Sequence, residues 1–75
     1  MTKEQLLHFL ELHGSADALD VAHELNIDYA AASMSLLRLA RQSLVSRRLD
    51  PQSGLYWYAL TEQGAARLNY FRSLD

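Results

Sequence analysis

Four arginines, Arg38, Arg41, Arg47 and Arg48, lie in a segment, residues 29–49, that contains no aspartate or glutamate. A guanidinium is planar, permanently charged and carries its donors in a fixed fork, which matches two oxygens of a phosphate or carboxylate. The chemistry open to this segment is therefore the holding of anions. The surrounding sequence has the opposite sign. Residues 1–28 set Lys3 against Glu4, Glu11, Asp17, Asp20, Glu24 and Asp28, and residues 50–75 set Arg67 and Arg72 against Asp50, Glu62 and Asp75. The net charge of −2 hides a basic face on an acidic chain, and local charge decides which polyanions a surface attracts. The plainer reading, that these arginines only solvate a helix edge, stays open at this point.

Other chemistry has less support. His8, His13 and His23 invite a metal, but His8 and His13 are five apart, whereas ligands sharing a helical face need a spacing of three or four. No carboxylate–histidine set has zincin spacing, so no metal and no other cofactor is expected. There is no cysteine, hence no thiolate nucleophile or disulfide. No glycine-rich phosphate loop occurs, and no motif pairs a serine with a histidine. Catalytic residues are not expected, and neither is a small-molecule ligand, for no effector domain is recognisable.

The 75 residues are read as one domain, 1–75. A chain of this size buries only roughly 60% of its unfolded-state surface. The apolar share, 49%, suits a packed domain rather than a disordered one. No apolar run reaches the ~20 residues of a membrane span. The opening MTKEQLLHFLELHG places acids and histidines among its apolar residues, unlike a signal peptide. A cytoplasmic protein is expected.

The elements that position the arginines follow from periodicity and caps. Thr2 and Gln5 form a capping box ahead of Leu6, Leu7, Phe9, Leu10 and His13, and Gly14 ends that helix. Ser15 and Ala16 read as a connector. Asp17 caps a short second helix, 18–25, with Leu19, Val21, Ala22 and Leu25 as its apolar set and Asn26 as its stop. Asp28 caps a third helix from Tyr29 whose inward stripe is Ala32, Leu36, Leu39 and Ala40. Residues 44–49 and 55–60 read as strands about the turn DPQSG, and Thr61 caps a fourth helix running to the C-terminus. Gly64 falls in that helix's first turn and weakens it. Alternation puts Tyr56, Tyr58 and Leu60 on one face of the returning strand and Trp57 on the other, where it covers the hairpin's own neighbours. The fold class is mainly α with a small β-hairpin (α+β), in the order helix–helix–helix–strand–strand–helix. A turn of about three residues joins the second and third helices, the spacing of a helix-turn-helix.

Three stretches in this order, DVAHELNID, LLRLARQSLVSRR and LYWYALTEQG, resemble winged helix-turn-helix DNA-binding domains, especially small MarR-like and PadR-like transcriptional regulators. The resemblance covers nearly the whole chain. It implies a recognition helix at 29–41 that enters the major groove of double-stranded DNA and a wing at 44–60 on the backbone. The DNA-facing residues it implies are Tyr29, Ala30, Ala31, Ser33, Met34, Leu37, Arg38 and Arg41 on the helix. On the wing, this sequence itself offers Arg47 or Arg48, on the first strand, as a backbone clamp, with Gln52 and Ser53 as weaker donors at the tip. The resemblance also implies a homodimer, with Leu68, Tyr70, Phe71 and Leu74 as the interface. Leu68 and Phe71 could instead fold back on the first helix.

The sequence departs from the family pattern in three places. The N-terminal half of the recognition helix lacks Asn, Gln or Arg, so bidentate base contacts are missing there and specificity should be modest or read through DNA shape. The wing has Asp50, Pro51 and Gln52 where the family commonly has Asp-x-Arg. Ser43 stands where the family usually has Gly, at a site where positive φ would strain a residue with a Cβ. The rival function is a winged-helix protein-interaction module that uses the apolar outer face of the third helix, centred on Met34 and Leu37.

Overall fold

The computed structural model describes residues 2–74, arranged as α1 (Lys3–His13), β1 (Ala16–Asp17), α2 (Ala18–Leu25), α3 (Tyr29–Arg41), β2 (Val45–Leu49), β3 (Tyr56–Leu60) and α4 (Glu62–Ser73). The position of Asp75 at the expected end of the last helix lies outside the described residues. The expected helices and hairpin are present, and the structure adds one element. Ala16 and Asp17 pair antiparallel with Tyr58 and Trp57, making a three-stranded sheet in the order β1-β3-β2. The connector reading of Ala16 fails because a two-residue strand is too short to show a period; its pairing is set by tertiary packing. Strand bounds are one residue shorter than expected at each start.

Each helix begins on a side chain that relieves its unpaired N-terminal amides. Thr2 Oγ1 accepts from the Gln5 amide at 3.1 Å while Gln5 Oε1 accepts from the Thr2 amide at 2.9 Å. Asp17 and Asp20 repeat the arrangement on α2. Asp28 accepts from Ala31 at 2.7 Å on α3, and Thr61 from Gly64 at 3.0 Å on α4. Three of the helices stop where left-handed backbone is available: Gly14 at φ 76°, Asn26 at φ 54° and Ser43 at φ 62°. At Ser43 the amides of Ser43 and Leu44 donate to the carbonyls of Ala40 and Leu39, each at 3.0 Å. This is a Schellman cap, built on a serine that must adopt the conformation glycine prefers.

The core is formed by Leu6, Leu7 and Leu10 of α1, Val21 of α2, Ala32, Leu36 and Leu39 of α3, Leu44, Val45, Tyr58 and Leu68. Leu19, grouped with the apolar positions of α2, is exposed instead. Tyr58 is buried and Leu60 packs against the core, but Tyr56 on the same face is 38% exposed. The hairpin extends beyond the helices there, so a shared face does not imply shared burial. Trp57 lies half-buried on the opposite face and its indole N–H donates to Asp50 at 3.4 Å. It covers its own turn, as expected.

Gly64 corrects the reading of it as a mere weakness of α4. A Cβ at this position would lie 1.9 Å from the Leu44 carbonyl oxygen. The missing side chain lets the first turn of α4 press against the entry to β2, where Leu44 O accepts the Thr61 amide at 3.1 Å. Further along α4, Leu68 is 1% exposed and Phe71 packs against the core. Leu68 is therefore part of this domain's own interior and not a free interface residue. Tyr70 and Leu74 are exposed, at 58% and 64%. Arg72 ties α4 to α1 through both Glu11 oxygens, one at 3.3 Å, and a contact of 3.1 Å with His8 Nδ1. The Arg72 hydrogen bond holds the Glu11 carboxyl below its usual range.

Candidate nucleic-acid interface

The geometry of the basic segment is set by α3. At about 100° per residue, the buried stripe of Ala32, Leu36 and Leu39 turns Ala30, Met34 and Arg41 directly outward. Tyr29, Ser33 and Leu37 fall on the flank toward the wing, and Ala31 and Arg38 on the flank toward α1. Burial follows that division: Tyr29, Ala30, Ala31, Met34, Arg38 and Arg41 are exposed, and Ser33 and Leu37 are half-buried. An outward face this wide, with alanines at its N-terminal end, can approach another surface closely.

The two wing arginines separate as strand alternation requires. Arg47 stands across from the buried Tyr58, and Arg48 across from Trp57. Arg47 therefore joins α3 in a cleft of about 230 Å³ lined by Tyr29, Ser33, Leu37, Leu55, Tyr56 and Tyr58, among others. Arg48 lies on the other face of the sheet with Ser46, Trp57 and Ala59. Of the two clamp candidates, only Arg47 shares a cleft with the third helix. Its guanidinium carbon sits 3.6 Å from the centroid of the Tyr56 ring.

The wing tip is organised by Asp50. Its carboxylate accepts from the Gln52 amide at 3.0 Å, the Ser53 hydroxyl at 3.0 Å and the Trp57 indole at 3.4 Å. These bonds, the Gln52 amide foremost, hold the Asp50 carboxyl below the usual aspartate range. Ser53, expected as an outward donor, spends its hydroxyl within the turn: it donates to Asp50 and accepts the Leu55 amide at 3.2 Å. Gln52 remains exposed at the tip.

Two residues belong to this surface that sequence reasoning leaves out. Lys3, counted with the acidic N-terminal segment, donates to Gln42 Oε1 at 2.8 Å and so adds a cation beside Arg38. Only the tertiary contact of α1 with α3 places it there. Strand alternation alone groups Tyr56 with the core, although the hairpin register identifies its role: Arg47 and Tyr56 are diagonal neighbours on one face. Among the described residues, salt bridges involve only His8, Glu11 and Arg72, so Arg38, Arg41, Arg47 and Arg48 have no acidic partner. No group of three or more potential ligands is placed to hold a metal among these residues, and no helix is long and apolar enough to cross a membrane.

No family model matches the sequence, and no curated protein matches it. Solved structures do. MarR from E. coli in its apo form superposes with a TM-score of 0.87 at 22% identity, over 96% of this chain and 54% of that one. A point mutant of MepR from S. aureus, bound to an oligodeoxyribonucleotide, gives 0.87 at 25% identity over the same shares. A point mutant of E. coli MarR complexed with operator DNA gives 0.82 at 22%, over 91% and 49%. The chain spans about half the length of the structures it matches. From its three-helix core, its β1-β3-β2 sheet and these superpositions, the chain has the winged helix-turn-helix fold of MarR and MepR.

Proposed function

We propose that this domain binds double-stranded DNA as part of a transcriptional regulator, with α3 in the major groove and the wing on the sugar–phosphate backbone. The observation that carries the reading is the set of arginines on α3 and β2, none neutralised by an acid among the described residues, around an outward helix face. An α-helix with its side chains is about 10–12 Å across and the major groove about 12 Å wide, so a helix exposed in this way fits it. Arg38 and Arg41 reach phosphates from the helix, and Arg47 does so from the wing. Ala30, Ala31 and Met34 meet base edges with methyl and thioether groups, which can touch thymine methyls but offer no bidentate pair. Affinity is then mainly electrostatic and preference among sequences modest. The DNA complexes of MarR and MepR support DNA as the partner.

Three phosphate contacts give a slope of log affinity against log salt of about −3, and a single domain resting on so few contacts binds weakly at physiological salt. Two copies would bring the slope to about −5, and exposed Tyr70 and Leu74 supply apolar area for that pairing. Anisotropy titrations of a random-sequence duplex over a salt series test the reading. Tight, steeply salt-dependent binding supports it; no binding at low salt refutes it. In that event the exposed Met34 would favour the protein-interaction reading, with loss of partner capture in Met34→Asp as its mark.

A further inference from the structure

We infer that the cleft between α3 and the wing seats one backbone phosphate of duplex DNA, and that Tyr56 is a positioning residue that fixes Arg47 for it. The inference rests on the DNA-binding reading above and assigns to it a site that the family's wing pattern does not supply. Arg47 lies over an aromatic ring, with its guanidinium carbon 3.6 Å from the Tyr56 centroid. Stacking occupies one face of the guanidinium and leaves its in-plane N–H donors directed past the ring edge. Among the described residues, Arg72 is the arginine whose guanidinium is hydrogen-bonded to the protein, so the donors of Arg47 are uncommitted. Tyr58, directly across the hairpin and buried, keeps Arg47 from folding inward.

The rest of the cleft suits the same occupant. Tyr29 and Ser33 of α3 line it with Arg47 and Tyr56, and no aspartate or glutamate does. A phosphodiester presents two charged oxygens, the geometry a guanidinium fork accepts, and hydroxyls complete its hydrogen bonding. Ala18, Leu37, Leu55 and Tyr58 form apolar walls, which lower the local dielectric and strengthen each charged contact. The volume, about 230 Å³, falls below the ~300–1,000 Å³ of pockets that enclose drug-sized ligands. A strand of DNA that crosses the mouth of the cleft needs to insert only its phosphate.

The test compares the full chain with Arg47→Ala, Arg47→Lys, Tyr56→Leu and Tyr56→Phe on a random-sequence duplex over a salt series. Removal of the charge in Arg47→Ala should make the slope shallower by about 0.9. Tyr56→Leu keeps the charge and hence the slope, but loses affinity about two- to five-fold at every salt concentration, the scale of an exposed cation–π contact. Tyr56→Phe restores the stack and should recover most of that loss. Arg47→Lys keeps the slope and loses affinity, because an ammonium neither stacks flat nor presents a fork. Equal affinity of Tyr56→Leu and wild type overturns the positioning role, and an unchanged slope in Arg47→Ala overturns the phosphate seat. Failure of wild type to bind any duplex at low salt overturns the underlying DNA reading, an outcome distinct from either. Equal melting temperatures of Tyr56→Leu and wild type separate a lost seat from a lost fold.

Discussion

Replacing Gly64 by alanine should destabilise this domain even though alanine is the better helix former. The glycine lies in the first turn of α4, where helix propensity alone predicts a gain of about 1 kcal/mol for Gly→Ala. The added Cβ would meet Leu44 O at 1.9 Å, Leu44 C at 2.9 Å and Leu60 Cδ2 at 3.1 Å. Two of those atoms are backbone, so no side chain can rotate away. Relief requires α4 to withdraw from β2 by about 1 Å, at the upper end of the ~1–3 kcal/mol usual for overpacking. It also stretches the bond from the Thr61 amide to Leu44 O, a net contribution of about 1 kcal/mol. The two losses, set against the propensity gain, leave a deficit of about 3 kcal/mol. A domain of this size loses about 4–8 °C in Tm per kcal/mol, so Gly64→Ala should melt roughly 12–24 °C lower. Thermal unfolding followed by circular dichroism measures this directly. An unchanged or raised Tm would refute the close approach as the reason for glycine at this position.

Other consequences are smaller. Ser43 holds φ 62°, a conformation that costs a residue with a Cβ about 1–2 kcal/mol. Ser43→Gly should therefore stabilise the domain by about 1 kcal/mol in denaturant unfolding, net of the added freedom of the unfolded chain. The depressed Asp50 carboxyl contributes stability that is fully present above its unfolded pKa and lost as pH falls through its folded one. The wing tip should thus loosen only below the ordinary aspartate range, seen as faster amide exchange at Gln52 and Leu55, and Asp50→Ala should remove that pH dependence. If Tyr70 and Leu74 join two copies, Tyr70→Asp should shift the sedimentation coefficient toward monomer without lowering the melting temperature of the isolated domain. A wild type that sediments as a monomer at high concentration would contradict the pairing.

What the sequence made legible was local. Thr2, Asp17, Asp28 and Thr61 cap their helices through the hydrogen bonds their types suggested, because a cap needs only residues three apart. Positive φ at Ser43 was likewise signalled by a residue standing in a glycine's place. Contacts between distant segments left no such mark. β1 exists only because Tyr58 and Trp57 pair with it, Lys3 reaches the basic face only through Gln42, and Gly64 is small because Leu44 approaches it. The arginines of the interface were visible as a charge run. Which of Arg47 and Arg48 meets α3 depended on the hairpin register and on where the sheet leaves the core.

The most direct test of the DNA-binding account is an amide-shift NMR titration with a random-sequence duplex at two salt concentrations. The account predicts shifts concentrated in residues 29–54, joined by Tyr56 and the neighbourhood of Lys3, that shrink together as salt rises. Silence of α3 and the wing at low salt, or shifts centred on the acidic faces of α1 and α2, would contradict it.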